Sequence, residues 1–225
     1  MLPSSTVENY LKAIYLAESA LDVEALVPMG HLAAALDVVP GTATTMVKAL
    51  AESGLVRYEP YAGVRLTPAG TKLAALVLRR HRLVELFLVQ VMGMSWAEVH
   101  DEAEHLEHAV SDRLIERMDD MLGHPSVDPH GDPIPTADGG IAERRYESLL
   151  ECPVGVPLNV ARVADQDAAF LRFIEERHLK PGQAIEVTER DPSADAVVLR
   201  TGGTRMVTLG SRAASKVLVD GQPPA

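Results

Sequence analysis

The chain predicts a mainly α fold with a small amount of β structure. Three observations lead there: helical periodicity from Val7 to Leu122, an acidic middle crowded with histidines and carboxylates, and a strand-rich tail after Pro153. With 225 residues and 47% apolar side chains it can bury a real core, and its length suits two or three small domains. The composition shifts divide it into residues 1–72, 73–150 and 151–225.

The first segment predicts a winged helix-turn-helix. Ser5 and Glu8 form a capping box, after which Val7, Leu11, Ile14 and Tyr15 repeat at helical spacing to about Ser19. A second helix is expected from Met29 to Leu36. Past Asp37-Val38-Val39 a third opens with Pro40 in its first turn and closes at Ser53-Gly54. Leu55 to Glu59 and Val64 to Thr67 then read as a hairpin around Pro60-Tyr61-Ala62-Gly63. Such a module lays its third helix in a DNA major groove. Thr42, Thr44, Thr45 and Lys48 on that helix are the expected contacts to bases and phosphates, and Arg57 and Arg65 on the hairpin would hold the flanking backbone. Three-helix pieces with a hairpin also serve as protein-docking modules, so this segment leaves both readings open.

A long helix follows from Thr67-Pro68 through His81 and Glu85 to about Met92, ended by Gly93. Ser95 and Glu98 make another capping box before the stretch His100 to His108, which reads HDEAEHLEH. There Glu104, Glu107 and His108 stand at i, i+3 and i+4, so three ligand-capable groups share one helical face, with His100 a turn earlier. His81 and Glu85 form a second pair four apart. A further helix runs from Arg113 to Leu122. These helices carry more apolar surface than one thin domain hides, which predicts a homodimer.

Charge sharpens the division. The net charge of -11 lies wholly in residues 83–150, which hold four Lys/Arg and fifteen Asp/Glu; residues 1–82 carry +1 and residues 151–225 carry -1. Five of the eight histidines fall between His100 and His130. An acidic, histidine-rich middle suits a divalent cation, and a solvated acidic helix surface is the plain alternative. The lone Cys152 excludes an internal disulfide and fits a reducing interior. MLPSSTVENYLK lacks the apolar run of a signal peptide, and the most apolar stretch, Leu83 to Met94, is too short for a bilayer and carries Glu85. The expected setting is cytoplasmic, with no membrane and no small-molecule substrate.

VENYLKAIY, the unit from Pro40 to Val56, RRHRLVELFL, VHDEAEHLEHAVSD and DPHGDPIP resemble, in order and spacing, the diphtheria toxin repressor-like family of iron- and manganese-dependent transcriptional regulators. The likeness covers nearly the whole chain. It implies a winged helix-turn-helix, a helical metal-binding and dimerisation domain, and a C-terminal SH3-like β-barrel. For the barrel the sequence offers strand-like Leu158 to Ala164, Ile185 to Glu189, Val197 to Arg200 and Arg205 to Leu209, with a helix from Ala168 to Arg177.

The resemblance implies a repressor that binds palindromic operator DNA as a dimer when its metal is bound, controlling metal-homeostasis genes. Its primary site would fall on Asn9, Glu104, Glu107 and His108. Its ancillary site would fall on His81, Glu85 and His100, with Asp167 as the best match in the tail ahead of Gln166 and Asp165. Asn9 stands where the family usually has methionine or aspartate, and Lys12 where manganese regulators tend to carry glutamate. Glu104 replaces the cysteine of iron-responsive members, so the oxygen-rich set favours Mn(II), then Fe(II), with other divalent transition metals binding in vitro. His105 points about 100° away from Glu104 and reads as a surface residue. His124, His130 and His178 read as turn and surface histidines, and Asp101, Glu102, Asp119 and Asp120 as solvated faces. Two rivals remain at this point. One is a metal-independent winged-helix regulator. The other is a metallohydrolase, against which stand the missing HExxH motif, nucleophile and phosphate loop.

Overall fold

The computed structural model describes residues 4–19, 21, 25–142 and 145–220. The chain folds into two compact units. Met1–His81 with Pro135–Ile141 form the first, and Arg82–Ile134 with Ala142–Ala225 form the second.

The first unit is built as its periodicity predicts. Helix α1 (Ser5–Glu18) buries Tyr10, Leu11 and Ile14. Its N-cap is Ser4, whose side chain accepts from the Val7 N–H, and not the expected Ser5-Glu8 box. Glu8 is occupied elsewhere: it is buried, with Oε1 3.4 Å from Arg80 Nη1. Helix α2 (Met29–Ala35) leads through Leu36, Asp37 (φ 50°) and Val38 into α3 (Pro40–Glu52), and Gly54 at φ 72° supplies the left-handed turn after it. Strands β1 (Val56–Glu59) and β2 (Gly63–Leu66) form the antiparallel wing, with Arg57 opposite Arg65. Leu11, Ile14, Leu32, Val47, Leu50 and Val64 close one core beneath these elements.

Helix α4 (Pro68–Gln90) begins against this core. Gly70 in its first turn is a packing requirement, since a Cβ there would come within 2.0 Å of the Leu55 carbonyl oxygen. The segment Pro135–Ile141 belongs to the same unit: Arg79 Nη1 donates to the Pro135 carbonyl at 2.8 Å, and Thr136 to Gly140 fold into a tight turn.

In the second unit the remainder of α4 packs with α5 (Val99–Leu106) and α6 (Asp112–Met121) through Leu83, Val84, Leu88, Val99, Ala103, Ile115 and Ile134. Two expectations change here. Ser95 to Glu98 make a tight turn instead of a capping box, with Glu98 N–H donating to the Ser95 carbonyl at 3.0 Å. Helix α5 also stops at Leu106, so Glu107 is its C-cap residue, still in right-handed helical conformation, and His108 lies in the turn beyond.

The tail is a six-stranded antiparallel sheet ordered β3-β8-β4-β5-β6-β7. It comprises β3 (Glu147–Ser148), β4 (Pro157–Val163), β5 (Ala184–Asp191), β6 (Ala196–Thr201), β7 (Arg205–Gly210) and β8 (Val217–Asp220). Helices α7 (Ala168–Glu175) and α8 (Ser211–Ala214) complete it. Strand β8 lies between β3 and β4 and is not anticipated by the sequence. Trp96 and Ala97, which precede α5, insert into the tail's core beside Leu158, Leu171, Ile174 and Leu179.

Candidate metal centre and nucleic-acid interface

The winged module presents the face the sequence assigns to DNA. Ala43, Val47 and Leu50 turn inward from α3, which leaves Thr42, Thr45 and Lys48 exposed and Thr44 half-buried. The Thr44 and Thr45 hydroxyls donate to the carbonyls of Pro40 and Gly41 at 2.8 and 2.9 Å. In that rotamer each hydroxyl oxygen keeps its lone pairs as acceptors. Arg57 is exposed and Arg65 half-buried on facing positions of the wing.

The second unit gathers carboxylates and imidazoles around Glu85. Its fully buried carboxylate has Oε1 3.1 Å from His100 Nδ1 and Oε2 3.9 Å from His130 Nδ1. His100 Nε2 lies 3.7 Å from Glu104 Oε1, so one imidazole stands between two carboxylates that the resemblance allots to different sites. Glu107 is buried, with Oε1 3.3 Å from Nε2 of His108. Asn9 is half-buried on α1, and His81 is buried on α4, one helical turn before Glu85.

His130 corrects an expectation. Read from the sequence as a turn or surface residue, it is fully buried, and so is the Asp128 side chain two residues earlier. Asp128 Oδ1 accepts from the N–H groups of His130 and Asp132 at 2.8 and 2.9 Å, which closes the loop on itself. Asp128 Oδ2 has no hydrogen-bond donor and lies 3.6 Å from Arg82 Nε. Burial drives the Asp128 carboxyl well above the usual carboxylate range, with repulsion from Asp132 and Glu85 adding to it and Arg82 opposing. One ligand atom each from Glu85, Asp128 and His130 lie within 4.8 Å of one another.

The donor chemistry fits a divalent cation. His130 Nε2 meets the Trp96 carbonyl at 2.8 Å, and a carbonyl only accepts, so Nε2 carries a proton and Nδ1 is the nitrogen whose lone pair the neutral ring can offer. That Nδ1 is buried without a hydrogen-bond partner. A metal-binding imidazole is held in this way, with its remote N–H tied to a carbonyl. A dication would also offset the repulsion between the Glu85 and Asp128 carboxylates and the cost of burying their charge.

The other expected residues are placed as follows. Asp167 is exposed and is the N-cap of α7, its Oδ1 accepting from Phe170 N–H at 2.9 Å. Gln166 donates to Asp132 Oδ2 at 3.1 Å, and Asp165 is ion-paired with Lys216. His105 is exposed and bonded to the Asp101 carbonyl, His124 is exposed beside Asp119, and His178 is exposed in a turn at φ 55°.

A winged helix-turn-helix joined to a buried nest of imidazoles and carboxylates defines a metal-regulated DNA-binding protein. Known proteins agree. Residues 3–64 match the iron dependent repressor N-terminal DNA binding domain, residues 67–136 the iron dependent repressor metal binding and dimerisation domain, and residues 147–221 the FeoA domain. The iron-dependent repressor IdeR of Mycobacterium tuberculosis is 34% identical, over 69% of each chain. The diphtheria toxin repressor of Corynebacterium efficiens is 36% identical, over 69% of this chain and 68% of that one. Among solved structures, a manganese-dependent transcriptional repressor in complex with manganese is 40% identical with a TM-score of 0.87, covering 95% of this chain and 99% of that one. The manganese regulator SloR is 33% identical with a TM-score of 0.73, covering 99% and 100%.

The chain belongs to the diphtheria toxin repressor family of iron-dependent repressors. It is a metal-dependent transcriptional repressor with a DNA-binding domain, a dimerisation domain and a FeoA-type tail, and the family consists of repressors, not enzymes. Both rival readings, hydrolase and metal-independent regulator, fall away. Among the described residues, no helix is long and apolar enough to cross a membrane.

Proposed function

We propose that Mn(II), with Fe(II) second, is the corepressor, and that the metal-loaded homodimer acts in the cytoplasm on palindromic operators of metal-homeostasis genes. The observation that carries the metal assignment is the ligand chemistry. The proposed set holds carboxylates, imidazoles and one amide, and the only cysteine, Cys152, is buried in the tail's core. Such oxygen-rich sites suit Mn(II) and Fe(II). The manganese complex named for one solved relative supports the same choice.

The primary site would comprise Asn9, Glu104, Glu107 and His108, and the ancillary site His81, Glu85 and His100. Asp128 and His130 supply, from the loop after α6, what the resemblance asks of Asp167, whose Oδ1 is engaged as a helix cap. Exposed Leu106, Leu114 and Met121 on or beside α5 and α6 suit the self-association that the dimerisation domain implies.

Metal would act by charge. Without it the carboxylates of Glu104 and Glu107 repel across one helical turn, and a dication removes that repulsion and favours the DNA-competent arrangement. Swinging a two-state equilibrium from 1:99 to 99:1 takes about 5.5 kcal/mol of differential binding, which two sites can share. The test is an anisotropy titration of duplex DNA with full-length protein, with and without Mn(II). Metal should tighten binding and Glu107→Ala should abolish the response; affinity indifferent to both would overturn the proposal.

A further inference from the structure

The DNA-binding unit carries a second basic surface beside the wing. Arg57 and Arg65 sit opposite each other on the hairpin, and both line a surface cleft of about 700 Å3. The other walls are Thr67, Thr71 and Lys72 at the start of α4, and Asp138, Gly139 and Gly140 of the strap that arrives from the metal-binding sequence. Arg57, Thr71 and Lys72 are exposed.

The strap is well tied down. Thr136 N–H donates to the Gly140 carbonyl at 2.8 Å, and Gly139 N–H to the Thr136 carbonyl at 2.9 Å. Gly139, at φ 88°, lies so close to Lys72 that a Cβ there would be 3.3 Å from Lys72 Cγ. Asp138 accepts from the Thr136 hydroxyl, which holds its carboxyl below the usual carboxylate range. The cleft therefore combines three cations and two hydroxyls with one ionised carboxylate.

We propose that this cleft is a third DNA-contacting element, which seats a backbone phosphate beside the wing, with Lys72 as its cation and Asp138 as the counter-charge that limits its grip. The inference rests on the operator-binding reading above. Three observations favour DNA backbone as the occupant. The cleft is continuous with the wing arginines, its cations outnumber its carboxylate, and duplex DNA presents a charge about every 1.7 Å along its axis, so a module gripping the phosphates at Arg57 meets further phosphates nearby. A contact of this kind positions the duplex without reading sequence.

The experiment uses the full chain loaded with Mn(II) and two duplexes of equal length: one enriched by that protein from a random-sequence pool, the other unrelated. Fluorescence anisotropy is followed across a salt series. Lys72→Ala should weaken both complexes by about two- to fivefold, the range of an exposed ion pair. It should also lower the slope of log affinity against log salt by about 0.9. Asp138→Asn should strengthen both complexes. Wild-type affinity and slope for Lys72→Ala on both duplexes, or weakening by Asp138→Asn, would overturn the cleft while leaving operator binding intact. Failure to enrich any duplex would remove the operator reading itself, and the cleft with it. Because Lys72 is exposed, thermal unfolding of its variant should match wild type and separate a binding effect from misfolding.

Discussion

His130 donates its Nε2 proton to the Trp96 carbonyl at 2.8 Å while the two rings stack with centroids 5.5 Å apart. One neighbour thus fixes both the tautomer and the plane of the imidazole, and Nδ1 is left toward Glu85. If that nitrogen is a ligand, His130→Ala should cost at least about tenfold in Mn(II) affinity at one site. Equilibrium dialysis measures this directly, with His105→Ala as the unaffected control. Unchanged stoichiometry and affinity in His130→Ala would remove it from the site.

Gly131 follows at φ 88°, and a Cβ there would lie 2.0 Å from the Ala161 carbonyl oxygen on β4. Both the backbone conformation and the space exclude a side chain. Gly131→Ala should destabilise the protein by about 2 kcal/mol or more, visible as a lowered Tm.

Arg80 and Glu8 form an ion pair at 3.4 Å with both side chains less than a tenth exposed. Removing one partner takes away one charge-assisted contact of the other. Arg80→Met or Glu8→Gln alone should cost about 1.5–3 kcal/mol, and the double variant less than the sum. Additive losses in a denaturant-unfolding cycle would show that the pair is not coupled.

Glu18 Oε1 accepts from Leu66 N–H at 2.7 Å and so ties the end of α1 to the wing. Burial raises its carboxyl above the ordinary value, against the opposing pull of the Leu66 hydrogen bond and Arg65. The folded state therefore holds this proton more tightly than the unfolded chain does. The resulting stabilisation is fully present below the unfolded value and is lost as pH rises through the raised one. Glu18→Gln keeps an acceptor and cannot ionise. Across roughly pH 4 to 8, wild type should lose stability relative to the variant through that window and then run parallel to it; a constant difference would contradict the assignment.

Cys152 is buried in the tail's core, and burial pushes its thiol up against the opposing influence of Arg190. It should stay inert to Ellman's reagent in the native protein and react upon unfolding. Rapid native labelling would disprove this burial.

Much of this architecture is legible in the sequence. The period of α1 and α3, the glycine after α3 and the paired wing arginines are local signals, and the structure keeps them. The cluster His100 to His108 is equally visible, although α5 ends at Leu106, two residues before the cluster does. Asp128 and His130 are not legible as buried groups. Asp, Pro and Gly in DPHGDPIP are what an exposed turn uses, and their burial comes from strand β4 some thirty residues later, where Val163 N–H donates to the His130 carbonyl at 2.8 Å. Asp167 does carry a local signal, since an aspartate immediately before an apolar helical run is an N-cap pattern.

That dependence on β4 has a consequence for biosynthesis. The loop carrying Asp128 and His130 is braced by Ala161, Val163 and Gln166, and β4 is itself flanked by β5 and by the late strand β8. A ribosome must therefore release the chain to about Asp220 before the bracing sheet is complete. The winged module, whose core draws on residues before Ala75, is already outside by then. The nascent chain would complete its winged helix-turn-helix well before the loop of buried Asp128 and His130 is braced.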